Sequence, residues 1–320
     1  MGFVPASHQL HRESGAAKLG FYIRRLHQRY LMSYLEFDGD RHKISLGEVL
    51  IGSDASSPNL NPSLGNLSHK LHITCAGRTD VGVIRSGNED NYIMVPDQGV
   101  FIVADGMGGH AAGEVASEMA VRIIARELGD ISRVTNTEAL DLIRRSIIRA
   151  NSTIIQRTLS EQDKMGMGTT ATVMVIIGDE YLIGQVGDSR AYVLRDGTLL
   201  QLTKDHSYVQ EQVDAGYLSP EEVRTHPDSN VITRCVGANV DVMPDVYSGT
   251  LQVGDVYLLA SDGLTGMIED EDLMRLMERV REPQQLADEL VHEANRRGGL
   301  DNVTVIVIRI NGTLAPTRGE

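Results

Sequence analysis

Three aspartates in this chain stand where apolar runs begin or end. Asp105 closes the run 99–104 and is followed by Gly106, Met107, Gly108, Gly109 and His110. Asp262 comes just after the run 255–260 and is again followed by a glycine, while Asp301 comes just before the run 303–308. Runs of this length and composition read as buried strands, so two carboxylates leave strands and one leads into a strand. An aspartate at a strand end can ligate a hard cation, and the Gly106 carbonyl can approach the same ion because its Cα carries no side chain. The plain alternative is an ordinary turn, since Asp-Gly pairs are common turn formers.

Other residues make the turn reading insufficient. Arg85, Glu89 and Asp90 crowd one polar stretch between two strand-like segments, and Asp188 lies in Gly187-Asp188-Ser189-Arg190. By itself the 85–91 stretch could be a salt-bridged surface hairpin. Taken together, carboxylates gathered within ~4 Å repel by ~4 kcal/mol per pair at an effective dielectric of 20, so they converge only if cations neutralise them. Acid-rich, all-oxygen ligation without His or Cys clusters favours Mg²⁺ or Mn²⁺ over Zn²⁺. Two such ions ~3.5 to 4 Å apart can share a water, lower its pKa and present hydroxide to phosphorus. Arg85 could grip the phosphate oxygens with its planar fork. The chemistry implied is phosphoester hydrolysis.

The elements that must position these groups are those of a mixed α and β domain. The chain has 320 residues with a hydrophobic fraction of 41%, enough for a substantial core. Its 44 acidic and 30 basic residues give a formal charge of −14, which argues against a nucleic-acid or anionic-membrane surface. No segment offers the ~20 apolar residues of a membrane span, and the N-terminus lacks a signal-peptide core. A cytoplasmic protein without stable membrane insertion is expected. Cys75 and Cys235 are far apart and read as buried, inert thiols.

Residues 16–37 have the spacing of one amphipathic helix, and 52–68 the Gly/Ser/Asn/Pro composition of a linker. From residue 71 strands are expected over 71–78, 92–95, 169–177, 181–186 and 191–194, with short Asp/Gly turns that imply antiparallel hairpins. Helices are expected over 113–128 and 137–160, the second capped by Asn136 or Thr137, and over 271–280 and 284–297. Residues 205–237 break the strand rhythm, carry a Ser219-Pro220-Glu221-Glu222 helix start, and have the size of an active-site flap. Within it His226 is a candidate functional residue, set against the commoner structural role. Asp105, Asp262 and Asp301 are expected to meet at one edge of the sheet.

Six ordered motifs then resemble one family. They are Arg85-Ser-Gly-Asn-Glu89-Asp90-Asn, Asp105-Gly-Met-Gly-Gly-His110, Met167-Gly-Thr-Thr-Ala-Thr, Gly187-Asp-Ser-Arg190, Ser261-Asp262-Gly-Leu and Asp301-Asn-Val-Thr. In order and spacing they are similar to those of the PPM/PP2C family of metal-dependent serine/threonine phosphatases, especially its bacterial branch, over about residues 73–310. The resemblance implies an α+β fold, a four-layer α-β-β-α sandwich of two antiparallel sheets flanked by antiparallel helix pairs. It implies a phosphatase domain over 71–311 with its flap at 205–237, an N-terminal extension over 1–70 and a C-terminal tail over 312–320.

The resemblance also implies roles. Asp105 bridges two Mn²⁺ or Mg²⁺ ions, with the Gly106 carbonyl on the first and Asp262 and Asp301 on the second, and Asp188 matches the position of a third, weaker ion. Arg85 matches the phosphate-binding arginine, and Glu89 and Asp90 match acids that organise metal-bound waters. Many eukaryotic members carry a general-acid histidine directly after the Asp-Gly, where this chain has Met107; His110 and a metal-bound water are the candidate proton donors. The expected reaction is hydrolysis of phosphoserine and phosphothreonine in proteins by a monomer that counteracts bacterial Ser/Thr kinases. The alternatives are a catalytically silent regulatory protein of the same fold and a phosphatase of an anti-sigma-factor antagonist.

Overall fold

The computed structural model describes residues 47–51, 70–108, 112–161, 164 and 166–314. The helix expected over 16–37, the linker over 52–68 and His110 lie outside them. The described residues belong to one compact unit spanning 44–320. In chain order its elements are β1 (Gly47–Ile51), β2 (Lys70–Asp80), β3 (Asn91–Val95), β4 (Val100–Ala104), β5 (Gly106–Met107), α1 (Ala112–Glu127), α2 (Asn136–Ser160), β6 (Gly168–Thr169), β7 (Ala171–Ile177) and β8 (Glu180–Val186). They continue with β9 (Arg190–Arg195), β10 (Thr198–Gln201), α3 (Tyr208–Asp214), β11 (Asp245–Thr250), β12 (Val256–Ala260), α4 (Asp262–Thr265), α5 (Asp270–Arg279), α6 (Pro283–Arg296) and β13 (Val303–Leu314).

The strands form a six-stranded sheet, β1-β2-β13-β12-β9-β10, and a five-stranded sheet, β11-β8-β7-β4-β3, with β5 and β6 as a small separate pair. Neighbouring strands are antiparallel throughout. β1, in the stretch read from sequence as an extension, pairs with β2 at the edge of the six-stranded sheet.

Alternation along each central strand explains the layering. On β4, Phe101 and Val103 enter a cluster with Ile306 and Ile308 of β13 and Tyr257 and Leu259 of β12, which fills the space between the sheets. Val100, Ile102 and Ala104 of the same strand face outward to α1 and α2, where they meet Ile124, Ile143 and Ile147. In the six-stranded sheet, Val303, Val305 and Val307 face outward to Leu273, Leu286 and Leu290 of α5 and α6. Strands buried on both faces carry continuous apolar runs instead of an alternating pattern. The result is four layers, two helical and two of sheet, as the family resemblance implies.

Local signals settle the details. α2 starts from Thr135, whose hydroxyl accepts the Glu138 N–H while the Glu138 carboxylate accepts the Thr135 N–H, a reciprocal cap. The sequence points to Asn136 or Thr137, but Asn136 donates instead to Glu180 at 2.6 Å. The helix start expected at Ser219 becomes a 3-10 turn, Pro220–Thr225. No helix among the described residues is long and apolar enough to cross a membrane, and Cys75 and Cys235 are both free thiols.

Candidate active site

Asp105 sits in the gap between β4 and β5, and its backbone is clamped. Its N–H donates to Thr170 Oγ1 at 2.9 Å, while its carbonyl accepts from the Thr170 N–H at 2.8 Å and the Thr169 hydroxyl at 2.9 Å. Thr170 therefore interrupts what reads in sequence as one long strand, leaving β6 and β7 on either side. Its hydroxyl also shares a 2.7 Å hydrogen bond with Ser189, the neighbour of Asp188. Behind Asp105, Gly106 is packed so closely that a Cβ there would strike the carbonyl oxygens of Gly113 and Glu89. Only glycine fits this approach of three backbone segments.

Asp188 is presented by a tight turn. Gly187, at φ +105°, makes two hydrogen bonds with His206: its N–H donates to the ring Nδ1 at 3.1 Å and its carbonyl accepts the His206 backbone N–H at 2.9 Å. Asp262 begins α4 directly after β12, and Asp301 precedes β13. Because Ala260 pairs with Val305, the exit of one strand adjoins the entrance of the other. Asp105, however, arrives from the facing sheet. The sequence places the three aspartates at one edge of one sheet; the structure puts them at the open end between two sheets, because β4 belongs to the five-stranded sheet.

The Asp105 and Asp262 carboxyls are within hydrogen-bonding reach of each other. Burial, with the neighbouring charges of Asp90, Asp262 and Asp188, holds Asp105 well above the ordinary carboxylate range. Asp188 is raised in the same way by burial, then by Asp262 and Asp205. Asp262 is raised chiefly by burial, and Asp90 is pushed up to about 7 by burial despite a hydrogen bond from Ser261 and the nearby Thr304. Glu89 is raised by burial and partly offset by Arg85. One oxygen each of Asp90, Asp188 and Asp262 is buried with no hydrogen-bond partner.

Arg85 is half exposed and donates to Asp301 Oδ2 at 2.7 Å. Asn302 ties the segments together: its Oδ1 accepts the Glu89 N–H, and its Nδ2 donates to the carbonyls of Val81 and Gly87, each at 2.9 Å or less. Glu89 and Asp90 diverge, as successive residues of an extended chain do. The Glu89 carboxylate packs against Gly113, and Asp90 accepts from the Ser261 hydroxyl at 2.8 Å. His226 is not brought to this cluster by any bond; its Nδ1 accepts the Asp228 N–H at 3.1 Å, and its ring tilts against Tyr208 at 6.1 Å.

The model of the Protein phosphatase 2C family matches residues 86–293, well over half of the chain. This chain belongs to the protein phosphatase 2C family. The serine/threonine phosphatase stp of Listeria welshimeri is 39% identical over 238 residues, which cover 73% of this chain and 94% of that protein. The crystal structure of the Mycobacterium tuberculosis serine/threonine phosphatase PstP/Ppp superposes with a TM-score of 0.70 at 37% identity, covering 75% of this chain and 99% of that one. A structure of the PstP catalytic domain in complex with 2 manganese ions matches with a TM-score of 0.68 at 36% identity, over 75% of this chain and 99% of that one. The protein is a metal-dependent serine/threonine phosphatase of bacterial type that uses Mn²⁺ or Mg²⁺ and acts on phosphoproteins. Neither a silent family member nor an anti-sigma-factor pathway is favoured by these relatives.

The phosphatase's own residues fit divalent cations. Among the described residues no three acidic, His or Cys side chains already encircle one ion position. What the site offers instead is a contact pair, Asp105 with Asp262, flanked by carboxyl oxygens that no protein donor answers. Buried unanswered acceptors are rare and call for a ligand. A hard cation answers several at once and removes the repulsion that lifts their pKa values. The residues that sequence reasoning left without a role are those that hold this cluster in place: Thr170, Ser189, Ser261, Asn302 and Thr304. Their signal was available, because Thr304 is a hydroxyl inside an otherwise apolar run and Ser261 and Asn302 adjoin the aspartates they hold.

Proposed function

We propose that the phosphatase hydrolyses phosphoserine and phosphothreonine monoesters at this end of the sandwich. In this reading Asp105, the Gly106 carbonyl, Asp262 and Asp301 hold two divalent cations, and Asp188 holds a third. The observation that carries it is the set of three buried, unpartnered oxygens on Asp90, Asp188 and Asp262 beside an arginine at the rim. When bound, the cations supply charge neutralisation and Lewis acidity toward a phosphoryl oxygen. Arg85 spends one Nη on Asp301, so its other N–H groups remain to take phosphate oxygens in a fork. Glu89 and Asp90 orient water, Asp90 from a fixed position set by Ser261. His110 gives the proton to the leaving serine or threonine oxygen. His226 acts within the flap, where Arg224 clips the 3-10 turn to the carbonyls of Thr265, Gly266 and Ile268 beyond Asp262.

The phosphatase domain is taken as residues 71–311, with an extension over 1–70 and a tail over 312–320 whose nearest parts, β1 and the end of β13, pair onto its sheet through β2. It is read as a monomer that reverses the work of Ser/Thr kinases in the cytoplasm. Its pair of free thiols, Cys75 and Cys235, suits a reducing compartment. The test is phosphate release from a phosphothreonine peptide. Release that needs Mn²⁺ or Mg²⁺ and stops with EDTA is expected; undiminished release from metal-stripped protein overturns the assignment.

A further inference from the structure

Arg309 is an anomaly on β13. The outward face of that strand runs Val303, Val305, Val307 and then arginine, and Arg309 is only 7% exposed. Removing a guanidinium from water costs several kcal/mol unless its donors are answered. Two other arginines show how this fold answers them: Arg190 forks onto Asp205, and Arg195 onto Asp255. Arg309 makes no ion pair among the described residues. Its Nη2 donates to the carbonyls of Met277 and Val280 at the end of α5, a favourable place for a cation. Its Nε is buried without a partner.

Beside it lies a cavity of about 350 Å³. Leu194, Val256 and Met277, all nearly buried, line it together with Arg309, and so does Arg281, an exposed arginine with no hydrogen bond or ion pair among the described residues. Two unneutralised guanidinium groups thus share one cavity whose wall is otherwise partly apolar, the usual make-up of a small-molecule site. Two exposed acids, Asp196 and Glu278, also line it. They disfavour ligands carrying several negative charges. Burial and the neighbouring Arg281 both pull the Arg309 pKa below its ordinary value, a direction that a bound anion reverses.

We propose that this cavity binds a small molecule with one oxyanionic head, a carboxylate or a phosphate, and an apolar body. The head lies on Arg309 and Arg281, and the body against Leu194, Val256 and Met277. The site is separate from catalysis: Val256 and Ala260 are the two ends of β12, about 13 Å apart at ~3.3 Å per residue, and Asp262 lies beyond Ala260.

Fluorine NMR with 4-fluorobenzoate and 4-fluorophenylphosphonate, each titrated into the full-length, metal-stripped protein, tests this. Both probes share the proposed chemistry, and the tighter of the two identifies the head group. Arg281→Gln is expected to weaken binding about threefold and Glu278→Gln to tighten it by a similar factor, the usual range for exposed charges. Phosphopeptide hydrolysis with Mn²⁺ should stay at the wild-type rate in both. Arg309→Gln should abolish binding, but it also removes the α5 contact, so the two exposed variants carry the decision. Binding of neither probe to the wild type, or equal binding by Arg281→Gln, Glu278→Gln and the wild type, overturns the proposal. Either result leaves the phosphatase assignment standing.

Discussion

The two ends of β12 each carry a buried aspartate, and they are opposites. At the start, Asp255 is 2% exposed and fully answered: it accepts from Arg195 Nε and Nη2, the Tyr257 hydroxyl and the Gln252 N–H, all at 2.8 Å or less. At the finish, Asp262 has an oxygen with no donor and a second carboxyl, Asp105, within hydrogen-bonding reach. The same residue type on either side of one strand is a finished structural joint before it and an unfinished one after it. An acid whose partners are all supplied by the protein holds the fold; one whose partners are withheld is reserved for something that arrives later.

Swapping the charge at each end tests that contrast. Asp262→Asn should lower kcat/KM for a phosphothreonine peptide with Mn²⁺ by about 10³-fold, or ~4 kcal/mol, by removing a ligand and a charge. In metal-free protein at neutral pH its urea midpoint should match or exceed that of the wild type, because a repelled carboxylate has gone. Loss of the fold in this variant would erase the distinction. Asp255→Asn should do the reverse, costing about 3 kcal/mol of stability by stranding Arg195, at the low end for a broken buried pair because that side chain is 25% exposed. Its turnover per folded molecule should be unchanged; a large fall in turnover at full stability would make Asp255 part of the site.

Acidity gives a smaller effect. Asp90 is pushed up from 3.8 to about 7, and Asp105, Asp188 and Asp262 are raised too, so the metal-free native state binds more protons than the unfolded chain. Stability from these groups is full below about pH 4 and is lost as pH rises through the raised values. Metal-stripped protein should therefore be less stable at pH 8 than at pH 5 by roughly 1–3 kcal/mol. Saturating Mn²⁺ at pH 8 should restore the melting temperature. A flat profile without metal would mean the carboxyls are not crowded as described.

Much of this contrast was legible beforehand, and the missing part has a physical cause. Strands 100–104 and 303–308 announced themselves as apolar runs because they are covered on both faces. Asp105, Asp262 and Asp301 stood out by position relative to those runs. What a linear reading lacks is the partner: Asp255 looks no less functional than Asp262 until Arg195, sixty residues away, is seen to close on it. The assignment of Asp105 to a different sheet from Asp262 was hidden for the same reason, since pairing of β4 with β7 is a long-range choice. Thr170 was masked by its neighbours, a polar residue whose strand-like surroundings conceal the break it makes.

One feature of β13 governs when, not only where, the enzyme exists. It is the last strand among the described residues, yet it lies inside its sheet between β2 and β12, and Asn302 at its head sews the Arg85–Glu89 loop in place. During synthesis at roughly 5–20 residues per second, more than 200 residues separate the emergence of that loop from the arrival of its fastening. A nascent chain carries Arg85, Asp105, Asp188 and Asp262 for many seconds while the six-stranded sheet still lacks its inner strand β13. The phosphatase domain is thereby silent until β13 itself has been made, a timing device made of topology alone.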